Sequence, residues 1–236
     1  MHSPFPQPIP IDMLLLAYRN GIFPMADSRE DTDVFWVEPK ERAIIPLNGL
    51  QVSRSLKKTL RQDRYAVTIN RDFTGVIAAC AAPRPGHPES WISARIEASY
   101  TQLHAQGAAH SVECWDKEGA LVGGLYGVCF DRVFCGESMF SRADNASKVA
   151  LAWLVALMKR AGYQLLDCQF MTDHLASLGA KELPQADYLE LVGKAAGDPL
   201  LSVPQAYSSL LEDDDDDPDA ASSPGKRIAQ SFTHTS

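Results

Sequence analysis

The sequence predicts a mixed α+β fold, in which one large sheet carries helices on its faces. Two patterns predict it. Between residues 109 and 137, short strand-like runs follow one another with turn residues between them, as in an antiparallel meander. An apolar helical run from 146 to 158 and a further apolar strand come next. At 236 residues, the chain is long enough for a sizeable core in one or two domains.

The first part of the chain combines an extended arm, a short helix and a turn-rich segment. Four of the first ten residues are proline, which predicts an extended arm. A helix is predicted over Ile11–Asn20, because Asp12 lies near its start and Gly21 follows its end. The turn-rich segment that follows contains the aromatic residues Phe23, Phe35 and Trp36, which pattern alone assigns to a local core.

A short strand, Ala43–Pro46, is followed by a helix with one basic face. Ser53 is placed to cap this helix, whose sequence is RSLKKTLRQDR. Four basic residues at helical spacings of three and four form a basic stripe on one side: Arg54, Lys57, Lys58 and Arg61. Leu56 and Leu60 fall on the opposite side and can pack on a core. By pattern alone, such a stripe is most often a solvated face.

The middle of the chain alternates between further strands and helices. A strand and two helices are predicted, in this order, at Tyr65–Asn70, Asp72–Ala82 and Trp91–Gly107. Three strands joined by two hairpin turns follow at His110–Asp116, Ala120–Phe130 and Val133–Glu137. The second of these contains Gly123, Gly124 and Gly127, and glycine inside a strand marks a bulge or a close approach.

Polar residues interrupt two of the apolar strands. Glu137 lies near the end of one strand, and Asp167 and Gln169 lie two apart in the strand Leu165–Phe170. A carboxylate in an apolar strand costs free energy unless it is paired or used. Because alternate residues of a strand share a face, Asp167 and Gln169 are predicted to point into one pocket, together with Glu137. From the strand pattern alone, a hydrogen-bonded structural glutamate is an equally good interpretation of Glu137.

The order of the C-terminal elements completes the fold prediction. The helix before Leu165–Phe170 is apolar nearly all round, so it should be buried, and Gly162 should end it. A short helix at Asp173–Leu178 and a final strand follow. Four strands, helix, strand, helix and strand resemble the acetyltransferase-like (GNAT) fold. The sequence shows no pyrophosphate loop of that fold, so coenzyme A is not expected.

Most of the net charge of −8 lies at the C-terminal end. Residues 212–236 hold seven acidic and two basic residues, so they account for five of the eight negative charges. The remainder is only mildly acidic, and composition does not exclude an anionic partner. The acidic run and the polar residues around it predict a disordered tail over 209–236. We expect the residues after Asp213 to be dispensable for catalysis.

Targeting and ligand-binding patterns are missing from the sequence. No apolar run reaches about 20 residues, the length that spans a bilayer, and the N-terminus does not resemble a signal peptide. We therefore expect a cytoplasmic protein. The five cysteines form no C-x-x-C and the six histidines show no metal spacing, so we expect no metal site, disulfide or cofactor.

Several long motifs occur in the same order in a known family. They are GIFPM at 21–25, WIS at 91–93, AHSVECW at 109–115, LVGGLYGV at 121–128, FCGESMFSRADNASK at 134–148 and LLDCQFMTDHLASLGAKELP at 165–184. Over roughly Leu14–Pro204, the chain resembles the leucyl/phenylalanyl-tRNA–protein transferases. The resemblance is specific, because several long and unusual motifs match in order.

The resemblance implies a domain division and an activity. A small N-terminal domain at 1–42 would precede a GNAT-like catalytic domain at 43–208, with the tail at 209–236. The enzyme would move Leu or Phe from aminoacyl-tRNA to the α-amine of proteins that begin with Arg or Lys, marking them for degradation in the N-degron pathway. We expect a monomer without a membrane partner. Aminolysis of an activated ester needs positioning and proton handling, but no covalent nucleophile or metal.

The resemblance also assigns catalytic roles to the three polar strand residues. Asp167 would bind the acceptor's α-amine and help to remove its proton, and Gln169 would orient this network. Glu137 would meet the acceptor's amine or basic side chain. Two nearby carboxylates can raise each other's pKa, which suits proton transfer.

Binding roles follow from the same resemblance. The basic stripe would meet tRNA phosphates. Met25 and Trp91 would lie against the donor's terminal adenosine, and Met25 stands where many relatives carry tryptophan. Six residues would form the donor amino-acid pocket, although pattern alone assigns them to plain core: Leu125, Phe134, Met139, Leu154, Met158 and Leu166.

Three alternatives stay open from the sequence. The same transfer can be directed to proteins with N-terminal Asp or Glu. A non-catalytic tRNA- or peptide-binding module would keep the stripe and the pocket without needing the carboxylate pair. An acetyl-CoA-dependent acetyltransferase is the third alternative, and the missing pyrophosphate loop counts against it.

Overall fold

The fold is mixed α+β, as predicted, and its large sheet has seven strands. The computed structural model describes residues 7–83, 89–212 and 223–232. Its strands are β1 (Phe23–Met25), β2 (Phe35–Val37), β3 (Glu41–Ile45), β4 (Ala66–Ile69), β5 (Ala109–Trp115), β6 (Leu121–Phe130), β7 (Val133–Ser141), β8 (Leu165–Gln169) and β9 (Lys181–Pro184). Its helices are α1 (Ile11–Arg19), α2 (Arg54–Arg61), α3 (Phe73–Ala81), α4 (Ala94–Ala105), α5 (Ala146–Ala161), α6 (Asp173–Ser177), α7 (Gln185–Lys194), α8 (Val203–Glu212) and α9 (Pro224–Gln230).

The large sheet has the strand order β4-β5-β6-β7-β8-β3-β9. Its neighbouring strands are antiparallel except β7 and β8, which are parallel and joined through α5. A parallel pair needs such a crossover, because a tight turn can join only antiparallel neighbours. The parallel pairing ends at Cys135 and Asp167, although β7 continues to Ser141. The middle of the sheet therefore contains a point beyond which β7 and β8 are no longer paired.

Two β-bulges lie close to this point. Glu137 is the extra residue of β7, because Gly136 pairs with Gly127 while Ser138 pairs with Tyr126. On β8 the extra residue is Cys168, inserted opposite β3. A bulge bends its strand and re-aims the side chains beside it. The strand segments that carry the predicted polar residues are therefore irregular.

The sheet separates two hydrophobic cores. One core lies under α5, which is buried on nearly all sides as its composition predicts, and α2, α8 and α9 also contribute to it. The other core contains residues of α1, α3, α4 and α7. Gly162 ends α5 with a φ of +80°, a backbone conformation that glycine adopts without strain.

The N-terminal segment packs on the second core. Leu14 and Tyr18 of α1 are buried there, and β1 and β2 form a separate two-stranded sheet. Of the three aromatic residues assigned to a local core, Phe23 is buried. Phe35 and Trp36 lie on β2 and are exposed, at 43% and 40%, so that assignment is wrong for them.

The C-terminal segment corrects the prediction of a disordered tail. Residues 209–212 belong to α8, and α9 packs against α2. Ile228, Ala229 and Phe232 are buried in the first core, and the backbone N–H of Gly225 donates to the Asp63 carboxylate at 2.9 Å. Composition over the whole tail hides this short apolar face beside an acidic run. Residues 213–222, which hold most of that run, and 233–236 lie outside the described residues.

Candidate active site

The structure brings the three predicted polar residues together. Glu137, Asp167 and Gln169 lie where the pairing of β7 with β8 ends, and 7%, 0% and 7% of their respective surfaces are exposed. We call them the polar cluster. They do not converge through regular strand alternation, because the bulge at Cys168 and a left-handed backbone at Gln169 (φ +64°) lie between Asp167 and the end of β8. Left-handed backbone is unfavourable for glutamine, and such strain is common at functional sites.

Asp167 forms a fully buried ion pair with Arg42 of β3, a residue that the sequence did not single out. The Arg42 guanidinium donates through Nε to Oδ1 at 2.8 Å and through Nη2 to Oδ2 at 2.6 Å. Two further donors reach the same carboxylate: the backbone N–H of Gln169 at 2.8 Å and the Tyr188 hydroxyl at 3.3 Å. The only sequence signal for Arg42 was a cation at the start of an apolar strand.

The surroundings of Arg42 keep its guanidinium charged and fixed. Its Nη1 donates to the backbone oxygen of Gly21 at 2.8 Å, which ties the N-terminal segment to the large sheet. Its Cζ lies 4.8 Å from the ring centroid of Phe23 and 4.5 Å from that of Tyr188. Burial by itself would lower the pKa of Arg42, but the Asp167 carboxylate raises that pKa above its usual value. Arg42 is therefore a fixed cation at neutral pH.

Glu137 is enclosed by two tyrosines of the second core, which contains residues of α1, α3, α4 and α7. The Tyr18 hydroxyl of α1 donates to Oε1 at 2.8 Å, and the Tyr100 hydroxyl of α4 donates to Oε2 at 3.1 Å. Burial raises the pKa of Glu137 to about 7, and the nearby Asp167 adds to the rise. The hydrogen bonds from both tyrosines and the closeness of the Gln169 amide oppose that rise. At neutral pH this carboxyl can therefore both accept and release a proton.

The side chain of Gln169 has a free hydrogen-bonding capacity. It faces Glu137 closely enough to lower the pKa of that carboxyl. Its Nε2 is nevertheless buried without a well-formed hydrogen bond to any described residue. A buried amide donor that lacks a partner costs free energy, so a bound ligand with an acceptor atom would stabilise it.

The residues predicted for the donor pocket form a group, but on the other face of the sheet. Leu125, Phe134, Leu154, Met158 and Leu166 are buried in the core under α5, and Met139 packs against that core. The backbones of Leu125 and Met139 pair across β6 and β7, and those of Phe134 and Leu166 pair across β7 and β8. The polar cluster faces α1, α4 and α7 instead, as its tyrosine contacts show.

An open cleft borders one of these six residues. The cleft of about 390 Å³ lies between α3, the end of β7 and the start of α5. Met139 and Phe140 supply apolar lining, and Arg142 and His174 supply polar lining. The Arg142 guanidinium lies 5.2 Å from the ring centroid of Phe140. The cleft therefore offers an apolar wall beside a cation.

The two residues assigned to the donor adenosine lie in neighbouring segments. Met25 ends β1, and the N–H of the following residue, Ala26, donates to the backbone oxygen of Trp91 at 3.3 Å. Met25 and Trp91 are both partly buried against the second core. The structure thus joins the two segments that carry these residues by a backbone hydrogen bond.

The basic stripe has the predicted helical geometry. Ser53 caps α2 by accepting the N–H of Leu56, and Leu56, Thr59 and Leu60 are buried. Three of the four basic residues are exposed and Lys57 is half-buried. The stripe is therefore available to an anionic partner.

Metal and membrane features can be stated for the described part of the chain. Within it, no group of three or more His, Cys, Asp or Glu residues is arranged to hold a metal ion. The five cysteines all lie in the described residues, and none of them is in a disulfide there. Among the described helices, none is both long and apolar enough to cross a bilayer.

Comparison with known proteins decides the family. The family model described as leucyl/phenylalanyl-tRNA protein transferase matches residues 44–193, and the model of its N-terminal domain matches residues 8–40. The chain belongs to this family. It is therefore an aminoacyltransferase that acts between aminoacyl-tRNA and protein, as the resemblance predicted.

Individual relatives support the same assignment. The leucyl/phenylalanyl-tRNA–protein transferase of Novosphingobium aromaticivorans is 55% identical and the alignment covers 98% of both chains. That of Rhizorhabdus wittichii is 59% identical over 79% of this chain and 75% of the relative. A solved structure, L-PGS from Bacillus licheniformis, is 14% identical to this chain. It has a TM-score of 0.36 over 70% of this chain and 55% of that one.

Proposed function

We propose that this transferase moves Leu or Phe from aminoacyl-tRNA to the α-amine of proteins that begin with Arg or Lys, and so marks them for degradation in the N-degron pathway. The observation that carries the proposal is the convergence of Glu137, Asp167 and Gln169 at the point where β7 and β8 separate. We also propose that the protein is a cytoplasmic monomer. It should need neither coenzyme A nor ATP, because the ester of its donor is already activated.

The sheet supports a GNAT-like catalytic domain as part of this proposal. Four antiparallel strands, β4 to β7, lead through α5 to the parallel strand β8. The bulge at Glu137 lies where the β7–β8 pairing ends, and we propose that the two strands leave an opening in the sheet beyond this point. We propose that the donor ester lies at this opening, with its amino acid on the α5 side and the acceptor on the side of the polar cluster.

The contacts of Asp167 suggest a different role from direct amine binding. Its side chain is fully buried, and its oxygens already accept from Arg42, from Tyr188 and from the Gln169 backbone. Binding an ammonium would require these donors to move. We therefore propose that Asp167 positions Gln169, and that Gln169 and Glu137 meet the acceptor's amine.

The charge of the site favours a basic acceptor over an acidic one. Glu137 is enclosed by two tyrosine hydroxyls, and no described cation pairs with it directly. A basic N-terminal side chain gains attraction to this carboxyl, whereas an acidic one would be repelled. The strained backbone of Gln169, and its buried amide Nε2 that lacks a well-formed hydrogen bond, also favour an enzyme over a passive tRNA- or peptide-binding module.

The donor side of the proposal uses the cleft and the basic stripe. The apolar lining at Met139 and the cation at Arg142 suit a 3′ end that carries an apolar amino acid and phosphates. Side chains unbranched at Cβ, as in Leu and Phe, should fit the core beside Met139 better than Val or Ile. The stripe on α2 would contact phosphates further along the tRNA.

A transfer assay tests the proposal directly. Radiolabelled leucyl-tRNA and phenylalanyl-tRNA are incubated with peptides that begin with Arg, Lys, Asp or Glu, without coenzyme A or ATP. We expect transfer to the Arg and Lys peptides, and Gln169→Ala should lower its rate. Transfer only to Asp or Glu peptides would favour the alternative acceptor class. Binding of tRNA and peptide with no turnover would favour the non-catalytic module.

A further inference from the structure

Three side chains at the candidate site are joined in a ring by three contacts of hydrogen-bond length between their oxygen atoms. The Tyr18 hydroxyl is 2.8 Å from Glu137 Oε1, the Tyr100 hydroxyl is 3.1 Å from Oε2, and the two hydroxyls are 2.6 Å apart. We call Tyr18, Tyr100 and Glu137 the oxygen triangle. Both tyrosines are fully buried and Glu137 is nearly so, so described side chains, rather than bulk water, satisfy these groups.

The number of protons in this triangle depends on the state of Glu137. Each of the three contacts has hydrogen-bond length, so each is favourable only if it contains a proton. The two hydroxyls supply two protons. When Glu137 is ionised, both point to its oxygens and the contact between the tyrosines holds none. When Glu137 is protonated, the carboxyl supplies the third proton and all three contacts can be hydrogen bonds.

The overall reaction needs a site for one proton. At neutral pH the acceptor's α-amine is an ammonium with three protons, and the amide product keeps one of them. The nitrogen forms a bond to the ester's carbonyl carbon, the bond from that carbon to the 3′-oxygen breaks, and the leaving oxygen takes one proton. One further proton must leave the reacting atoms.

We propose that the oxygen triangle takes this proton, with Glu137 passing from carboxylate to carboxylic acid and the two tyrosine hydroxyls rearranging to share the added hydrogen. This inference rests on the function proposed above. It makes Glu137 the proton acceptor of the transfer reaction, and it makes Tyr18 and Tyr100 positioning residues that act through Glu137. After release of the product, the proton returns to solvent and the carboxylate is restored.

Of the three members of the oxygen triangle, Glu137 is the one that changes charge near neutral pH. Burial raises the pKa of Tyr18 and of Tyr100 well above the usual value, so both keep their protons. Burial raises the pKa of Glu137 to about 7. The other titratable groups that face the triangle are Cys135 of β7, Tyr126 of β6 and Asp167 of β8, the last paired with Arg42 of β3.

The structure also supplies a matched control. Tyr126 is a buried tyrosine that packs edge-on against Tyr100, at 5.7 Å between ring centroids. Its hydroxyl makes no hydrogen bond to any described residue. Tyr126→Phe therefore removes a hydroxyl from the same core without removing a donor to Glu137, whereas Tyr18→Phe and Tyr100→Phe each remove one.

The test combines infrared spectroscopy with single-turnover kinetics on the full chain. The C=O stretching band of a protonated carboxylic acid is followed against pH, with Glu137→Gln as the spectral reference. We expect Glu137 to titrate near pH 7 in the unmodified protein. Tyr18→Phe and Tyr100→Phe should each raise that pKa by about one unit, because the hydrogen bond that each hydroxyl donates to the carboxylate is charge-assisted and stronger than the neutral hydrogen bonds lost from the protonated form. Tyr126→Phe should leave it unchanged.

The kinetic measurement decides whether the proton site takes part in transfer. Below its pKa, each unit of upward shift lowers the ionised fraction of Glu137 about tenfold. The single-turnover rate at acidic pH should therefore fall about tenfold in Tyr18→Phe and Tyr100→Phe, and recover at higher pH. Urea unfolding of each variant at pH 7 confirms that the chain is folded under the conditions of the assay.

Each outcome decides the proposal. A carboxyl band that never appears near neutral pH overturns it. So does a Glu137 titration that shifts with the tyrosine variants while the pH–rate profile does not move. If the unmodified protein performs no transfer at any pH, the function proposed above is wrong. The role of Glu137 as proton acceptor is then wrong as well, even if the infrared titration is observed.

Discussion

Replacing Asp167 by Asn should destabilise the fold far more than its conservative size suggests. The carboxylate accepts two hydrogen bonds from Arg42, and both side chains are fully buried. Asparagine keeps one acceptor oxygen but turns an NH₂ group toward the donors of Arg42. The guanidinium stays charged, since it also donates to Gly21 and lies between two rings. Removing one partner of a buried ion pair costs about 3–5 kcal/mol.

The assay for this prediction is urea unfolding at pH 7 with a matched surface control. Arg19 and Asp131 form an ion pair at 3.0 Å with side chains 46% and 26% exposed. Asp131 has a φ of +49°, a conformation that asparagine tolerates, so Asp131→Asn changes the charge with little strain. We expect this control to lose less than about 1 kcal/mol.

A double variant separates two contributions to the loss of stability, the buried charge left without a partner and the altered packing. In Asp167→Asn combined with Arg42→Met, no buried cation is left without a partner. The double variant should therefore lose less stability than the sum of the two single variants, with an interaction energy of about 1–3 kcal/mol. A loss below about 1 kcal/mol for Asp167→Asn alone, or strict additivity, would refute the view of Asp167 and Arg42 as a buried ion pair.

The same variant should also lose activity per folded molecule. Asp167 accepts the backbone N–H of Gln169 at 2.8 Å, which fixes the left-handed conformation of that residue. Misplacing a group at the reacting centre costs about 100-fold in turnover. We expect a loss of that order in the single-turnover rate, corrected for the folded fraction, with tRNA affinity intact. A folded and fully active protein would contradict a catalytic role for the polar cluster.

Three further predictions follow from the same structure. The pKa of Glu137 is about 7 in the folded protein and 4.5 ordinarily, so the unfolded chain loses this proton at a lower pH than the folded chain. The free energy of unfolding should therefore fall by about 3 kcal/mol as the pH rises from 4.5 to 7. Urea unfolding at a series of pH values should show this fall, and Glu137→Gln should flatten it. Reversing the charges of Lys57 and Lys58 should weaken tRNA binding and reduce its salt dependence by about two ionic contacts, whereas Lys181→Glu on β9 should do neither. A chain that ends at Glu212 lacks α9, which packs against α2, so it should melt at a lower temperature. It should also bind tRNA more weakly, because α2 carries the basic stripe and would be held less firmly. An unchanged melting temperature would show that α9 does not stabilise the fold.

The sequence by itself determined the family, the order of the central elements from the strand at Tyr65–Asn70 to the final strand, and the residues of the polar cluster. Helices and strands follow local periodicity, so α2 shows its basic stripe and α5 its burial in the spacing of residues alone. Glu137 and Asp167 could be found because a carboxylate in an apolar strand is conspicuous. The ordered motifs identified the family for the same reason, since they are local.

Only the tertiary structure decided what these residues contact. Arg42 is 125 positions from Asp167 and Tyr18 is 119 positions from Glu137, and no periodic pattern relates residues so far apart. The bulges at Glu137 and Cys168 interrupt the period of two on which strand faces are predicted. The docking of α9 depends on the surface that α2 and its neighbours present once folded, so composition alone suggested disorder. Proton affinity at Glu137 is likewise a property of its burial, which exists only after the two cores have closed around the sheet.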